Sequence, residues 1–91
     1  MNLSSIPKPI EGFQTQELDG EFVLLHPIQN TIIHLNQTGA LVWGLCDNLR
    51  SVEEIIGILS AAYPDAHKQI AVDVPETIQE LIKQGALELE K

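Results

Sequence analysis

The sequence predicts one α+β domain, in which a three-stranded antiparallel sheet is followed by three helices. Between residues 13 and 35, three short runs of strand-forming residues alternate with turn-forming residues, as expected for strands joined by tight turns. From residue 36 onward, apolar residues recur at steps of three and four, which is the period of helices that bury one face. The chain has 91 residues, a length that fits one domain.

The first two predicted strands are joined by a hairpin turn. Phe13, Thr15 and Glu17 lie at alternate positions among polar residues, which predicts a strand. Asp19-Gly20 follows, and this dipeptide suits a tight hairpin turn because both residues take a positive φ readily. Residues 21–26 (EFVLLH) are then predicted to form the second strand.

The third predicted strand spans Thr31–Leu35 (TIIHL) and follows a turn over residues 27–30. Pro27 ends the pairing of the second strand, because proline has no N–H to donate. The third strand is β-branched at three of its five positions, which favours extended structure. Together the three strands are expected to form an antiparallel meander.

Two capping signals mark the starts of the first two helices. Asn36 is a favourable N-cap residue, and the apolar stripe that follows it has a helical period. Ser51 and Glu54 form a capping box, in which each side chain accepts a hydrogen bond from the other's free amide. This second helix is expected to end near Tyr63, because Pro64 disfavours helix in the residue before it.

The last helix has an apolar stripe that a proline interrupts. The stripe consists of Ile70, Val74, Ile78, Leu81 and Ile82. Pro75 removes one backbone hydrogen bond, so we expect a kink or a break near Val74. Alternatively, Pro75 begins a fresh helix that ends at Gly85. Residues 86–89 are candidates for a short final strand.

Residues 1–12 are expected to be a flexible, extended N-terminal arm, and residues 13–91 the folded domain. Pro7 and Pro9 oppose a helix in this segment, and its apolar content is low. The segment is either a loose terminus or a cover for an open edge of the sheet.

The charge balance argues against two classes of partner. Five Lys and Arg against thirteen Asp and Glu give a formal net charge of −8. Proteins neutralise nucleic-acid phosphates with Lys and Arg, and polybasic segments bind anionic membranes. Neither nucleic acid nor a membrane is therefore an expected partner. The acidity either attracts neutral or basic partners or only keeps a small domain soluble.

Cysteine content and the N-terminal sequence favour a cytoplasmic location. Cys46 is the single cysteine, so no internal disulfide is expected, as is usual in a reducing compartment. The first twelve residues lack the apolar run of a signal peptide, and no apolar stretch approaches the length of a membrane span.

The sequence shows no catalytic or metal-binding constellation. Cys46 lies on the apolar stripe of the first predicted helix, which indicates a buried structural thiol. His26, His34 and His67 are widely separated and lack the spacing of a metal site. We therefore expect no enzymatic activity, no metal and no cofactor, which leaves binding as the function.

The outer edge of the third strand is the candidate binding surface. The segment TIIHL contains no charge, proline or glycine that would block pairing, so it suits the addition of an extended peptide. Strand alternation places Ile33 and Leu35 on one face, with Ile33 toward the core, and Ile32 and His34 on the other. The alternative is that the N-terminal arm or the last helix covers this edge.

The run LNQTGALVWGLCDNLRSVEEIIGILSAAY resembles the signature of the PqqD-like family. In that family a strand ends in Leu-Asn, a helix containing Thr-Gly-Ala carries a tryptophan, and a Thr- or Ser-capped Val-Glu-Glu helix follows. The corresponding residues here are Leu35-Asn36, Thr38-Gly39-Ala40 and Trp43, with Ser51-Val52-Glu53-Glu54 after them. The later stretch LIKQGAL is similar to the family's last helix and its exit. The likeness covers residues 13–89, and Asn48 is expected to supply the backbone angle that glycine usually supplies there.

The resemblance implies a winged helix-turn-helix-like domain that recognises ribosomally made, modified peptides. The leader of a precursor peptide would lie as an extra strand against the third strand, with its apolar side chains in a groove bordered by the last helix. The domain would be a non-catalytic chaperone that delivers the peptide to a modifying enzyme, such as a radical-SAM enzyme. The implied peptide-binding residues are Thr31, Ile32, Ile33, His34, Leu35, Ile70, Val74 and Ile78.

Two other functions fit parts of the sequence. The same strand edge would serve a protein–protein adaptor subunit of a kinase-like or tailoring enzyme system. A DNA-binding winged-helix regulator has the right predicted shape, but the net charge of −8 opposes it. The sequence does not identify the client peptide.

Overall fold

The structure, a computed structural model, describes residues 2–90. Within these residues the chain forms a three-stranded sheet, a two-stranded sheet and three α-helices around one core. The elements in chain order are β1 (Ile6–Pro9), β2 (Gln14–Leu18), β3 (Glu21–His26), β4 (Thr31–Leu35), α1 (Gln37–Leu45), α2 (Val52–Ala62), a 3₁₀ turn (Pro64–Ala66), α3 (His67–Lys83) and β5 (Leu87–Glu90).

The predicted antiparallel meander is confirmed. Strands β2, β3 and β4 lie in that order, with Leu24 of β3 opposite Ile33 of β4. Asp19 and Gly20 both adopt a positive φ, at 53° and 84°, which matches the right-handed twist of the strands that they join. Asn48 also takes a positive φ of 63°, as the sequence predicts for the turn between α1 and α2.

The predicted helix caps are present. The Asn36 side chain accepts a hydrogen bond from the Gly39 amide at 2.7 Å. At the start of α2, the Glu54 amide donates to the Ser51 hydroxyl at 3.1 Å, and the Ser51 amide donates to the Glu54 carboxylate at 3.0 Å. These bonds satisfy amides that would otherwise have no partner at a helix start.

Helix α3 runs without a break through Pro75, so the expected break near Val74 is wrong, as is the alternative of a fresh helix that begins at Pro75. Val74 and Ile78 are fully buried on either side of the proline, and this packing holds both halves in one helix. Ala71, whose carbonyl loses its bonding partner to proline, is exposed and can bond to water instead.

The N-terminal segment differs from the expected flexible arm. Strand β1 pairs antiparallel with β5, and the Pro7 side chain is fully buried. The Ser5 and Leu3 carbonyls accept hydrogen bonds from the Val52 and Glu53 amides, each at 2.9 Å. The segment thus caps α2 and closes the end of the domain, and the packed unit begins well before residue 13.

The core lies between one face of the meander and the three helices. Leu24 and Ile33 contribute from the sheet, Val42 and Ile55 from α1 and α2, and Ile78 from α3. None of the helices in the described part of the chain is long and apolar enough to span a membrane.

Candidate functional site

Strand β4 forms one edge of the three-stranded sheet. In the described part of the chain its strand partner is β3 alone, so its outer edge carries unpaired backbone N–H and C=O groups. The strand is neutral and contains no proline. These are the properties of an edge that can accept another strand.

A groove of about 590 Å³ lies between this edge and α3. Strand β4 and the residues after it form one wall, and the C-terminal half of α3 forms the other. The lining residues are Ile33, His34, Leu35, Asn36, Gly39, Glu76, Thr77, Gln79, Glu80, Leu81, Lys83 and Gln84. An extended peptide placed along β4 would therefore have α3 beside it.

The side chains of β4 alternate as the sequence predicts. Ile33 and Leu35 are buried in the core, whereas Ile32 and His34 are exposed. Thr31 is half-buried at the start of the strand. Both faces of the strand are thus defined, and the free edge between them is the surface available to a partner.

The predicted site residues on α3 do not line this groove. Val74 and Ile78 have no exposed surface, so a bound peptide does not reach them without a rearrangement of the core. Ile70 is half-buried and borders a different depression of about 210 Å³, between α1, α2 and α3. The α3 residues that line the groove are therefore different from those that the resemblance implies.

The groove face of α3 carries polar residues that sequence reasoning missed. Glu76 and Glu80 are one turn apart, and Thr77 and Gln84 lie on the same side of the helix. The apolar stripe identified the core face, which is adjacent to the groove face. The three- and four-residue spacing of these polar residues was the available signal, but it is also typical of a solvent-exposed face.

Neither proposed cover blocks the free edge of β4. The N-terminal segment pairs with β5 in a separate sheet, and its other backbone bonds go to the start of α2. Helix α3 stands across the groove from β4. Among the described residues, the edge is accessible.

The side chain of Trp43 fixes α1 against the sheet. Its indole Nε1–H donates to the Thr15 hydroxyl at 3.1 Å, and its ring packs edge-on against Phe13 at 6.2 Å between centroids. Because β4 leads directly into α1, this contact helps to hold the exposed edge strand in position.

His26 lies outside the groove and has a structural role. Its Nε2 lies 3.1 Å from the Glu11 carbonyl, and its Nδ1 accepts a hydrogen bond from the Gln29 amide at 3.1 Å. The carbonyl requires a donor, so this arrangement selects the neutral ring with the proton on Nε2. The ring ties the chain before β2 to the turn between β3 and β4.

Cys46 is buried at the end of α1. Burial, and secondly the negative charge of Asp47, raise the pKa of its thiol to about 12. A thiol held protonated at neutral pH is a poor nucleophile. Within residues 2–90, no three His, Cys, Asp or Glu side chains come together as a metal site would require.

Comparisons with known proteins give two similarities. The profile of the family described as "Coenzyme PQQ synthesis protein D (PqqD)" matches residues 21–87. The solved structure of "TbiB1 in Complex with the TbiA(beta) Leader Peptide" is 26% identical in sequence and superposes with a TM-score of 0.72, covering 89% of this chain and 94% of that chain. No curated protein sequence matches the chain.

Proposed function

This chain belongs to the PqqD family, and on that basis we propose that it is a peptide chaperone. It binds the leader of a ribosomally synthesised precursor peptide as an added β-strand. It then presents the peptide to a modifying enzyme and performs no catalysis itself.

The observation that carries this proposal is the open edge of β4 beside the groove. Strand addition provides backbone hydrogen bonds along the edge, and a groove next to it provides selectivity for side chains. Edge strands of soluble proteins are commonly blocked by charges, prolines or covering elements. The segment TIIHL contains no charged residue and no proline. The described N-terminal segment pairs with β5 and does not cover β4.

The similar TbiB1 structure supports a peptide as the ligand, because that protein was solved with a leader peptide. The likeness extends over nearly all of both chains. A leader peptide is therefore the partner class that we propose here.

The proposed contact residues are the backbone of Thr31–Leu35 and the polar groove face of α3. Ile32 and His34 offer exposed side chains to the outer face of an added strand. Val74 and Ile78 support the helix from within the core and do not contact the peptide in this proposal.

We further propose that the receiving partner is a modifying enzyme, for example a radical-SAM enzyme, and that the encounter takes place in the cytoplasm. Ribosomally made precursors are released there, before they are modified. A non-catalytic role agrees with the raised pKa of the Cys46 thiol, which keeps it protonated at neutral pH.

The test is a nuclear magnetic resonance titration of isotope-labelled protein with leader peptides of precursors that are encoded beside its gene. We expect amide shifts concentrated at Thr31–Leu35 and at Thr77, Glu80 and Gln84. Binding that shifts amides of α2 or β2 instead would contradict the proposal. A folded sample that binds none of these peptides would point to a protein partner.

A further inference from the structure

The groove beside β4 is bordered by carboxylates. Glu76 and Glu80 project from α3 into its lining. An adjoining depression of about 510 Å³ shares His34, Leu35 and Asn36 with the groove and is lined by Glu21. Three acidic side chains thus surround the C-terminal end of the free strand.

Cations are scarce around these carboxylates. No Lys or Arg occurs between residues 9 and 49, so the whole meander and α1 lack a positive side chain. Lys8 pairs with Glu88 at 3.9 Å, and Arg50 pairs with Asp47 at 2.8 Å, both away from the groove. Lys83 alone contributes a positive charge to the groove lining.

The two groove carboxylates on α3 have no ion-pair partner among the described residues. Glu80 accepts a hydrogen bond from the Gln84 side chain at 2.9 Å, which is a neutral donor. Both residues are exposed, and a peptide lying along β4 would cover them in part. Removing carboxylates from water without a cation is unfavourable, so this wall disfavours acidic and favours basic side chains.

We propose that the peptide segment accepted by this groove is cationic, with Lys or Arg among the side chains that face α3. This inference rests on the proposed function and adds the chemical class of the segment. Backbone pairing with β4 is indifferent to sequence, and the carboxylates of Glu76 and Glu80 then select among extended segments by charge. The net charge of −8 also accelerates encounter with a basic segment at low salt.

The expected difference in affinity between basic and neutral peptide segments follows from the exposure of the carboxylates. One exposed ion pair changes affinity only a few-fold, and two carboxylates acting together on a partly covered segment change it by roughly tenfold. The preference should weaken as salt is raised, because exposed charges are screened over about 10 Å at 0.1 M.

The experiment uses a displayed library of random twelve-residue peptides as the probe and the full chain as bait. Selections are run in parallel on the native protein, on the double variant Glu76→Gln/Glu80→Gln and on a control, Glu11→Gln/Glu17→Gln. The control removes the same two charges from residues outside the groove lining. Any difference between the variants therefore reports the position of the charges rather than the net charge.

We expect peptides selected by the native protein to be enriched in Lys and Arg and to shift the amides of β4. Their affinity should fall about tenfold for Glu76→Gln/Glu80→Gln and change little for the control. Peptides that bind at β4 without basic enrichment, or equally well to the groove variant, would overturn this inference and leave the proposed function intact. Failure to select any peptide that binds at β4 would overturn both.

Discussion

Ile32 and Ile33 are consecutive residues of β4, yet the Ile32 side chain is 63% exposed and that of Ile33 is 3% exposed. Ile33 packs into the core opposite Leu24 of β3, whereas Ile32 lies on the outer face of the sheet. The same substitution at these two positions therefore acts on different properties. At Ile33 it changes the stability of the fold, and at Ile32 it changes the surface offered to an added strand.

Ile32→Asp is expected to leave the free energy of unfolding within about 1 kcal/mol of the native value, as is usual at an exposed position. Ile33→Asp should lower it by about 4 kcal/mol or more, because it buries an unpaired charge. Urea denaturation measures both values. The reverse order would mean that the assignment of the two faces is wrong.

Peptide affinity is expected to respond differently to the same charge placed on each of the two edge strands of the sheet. Ile32→Asp should weaken leader binding about fivefold, because it removes from the added strand an apolar cross-strand neighbour worth up to about 1 kcal/mol. Leu18→Asp, which places the same charge at an exposed position on the opposite edge strand, should leave affinity unchanged. Calorimetric titration of both variants measures the difference, and equal losses would argue against β4 as the site.

The N-terminal segment is expected to stabilise the domain. Deletion of residues 2–9 removes two backbone hydrogen bonds to α2, each worth about 1 kcal/mol, together with strand β1. The free energy of unfolding should fall by at least about 2 kcal/mol, and the Val52 and Glu53 amides should lose protection in hydrogen exchange. Lys8→Ala, which removes only an exposed ion pair, should cost less than about 1 kcal/mol. Unchanged exchange at these amides after the deletion would contradict the observed pairing.

Gly12 and Gly20 form a matched pair for testing the packing around His26. Both have a positive φ, of 103° and 84°, so alanine at either position strains the backbone. A Cβ on Gly12 would lie 2.5 Å from His26 Nε2, whereas a Cβ on Gly20 would meet no atom within 4 Å. Gly12→Ala should therefore cost at least about 1 kcal/mol more than Gly20→Ala in denaturant unfolding. Equal costs would show that His26 moves aside freely.

The buried thiol predicts a loss of stability at alkaline pH. Burial raises the pKa of Cys46 from 9.0 to about 12. At a pH between these two pKa values, the thiol of the folded protein retains a proton that the thiol of the unfolded chain has lost. The free energy of unfolding then falls as pH rises, by up to about 1.4 kcal/mol per pH unit. Between pH 7 and pH 10 the native protein should lose about 1 kcal/mol more than Cys46→Val. Parallel urea titrations of the two proteins measure this, and identical losses would refute it.

Local signals in the sequence were sufficient to predict the meander and the helix starts. The hairpin at Asp19-Gly20 and the capping box of Ser51 and Glu54 each depend on residues within four positions of one another. The pairing of β1 with β5 joins Ile6 to Glu90, and no local pattern specifies such a distant partner. The prolines of β1 argued against a helix and favoured an extended segment, and proline is tolerated where a strand has a free edge, but they do not indicate which strand is the partner.

The sequence predicted one wall of the groove, strand β4, but not the residues of the other wall, helix α3. The alternation in TIIHL identifies the edge strand and its two faces without knowledge of the rest of the fold. The wall formed by α3 depends on which side of that helix faces β4, and this follows from the packing of Val74 and Ile78 into the core. An apolar stripe reveals which residues are buried, while the residues that line an adjacent groove are polar and resemble any solvent-exposed face.

Strand addition on β4 can be tested by a backbone N-methylation scan of a bound leader peptide. In an added strand, successive peptide N–H groups point alternately toward β4 and away from it. Methylation at every second residue along the paired segment should abolish binding, while methylation at the residues between should be tolerated. A peptide that binds at the groove and shows no such alternation would contradict strand addition.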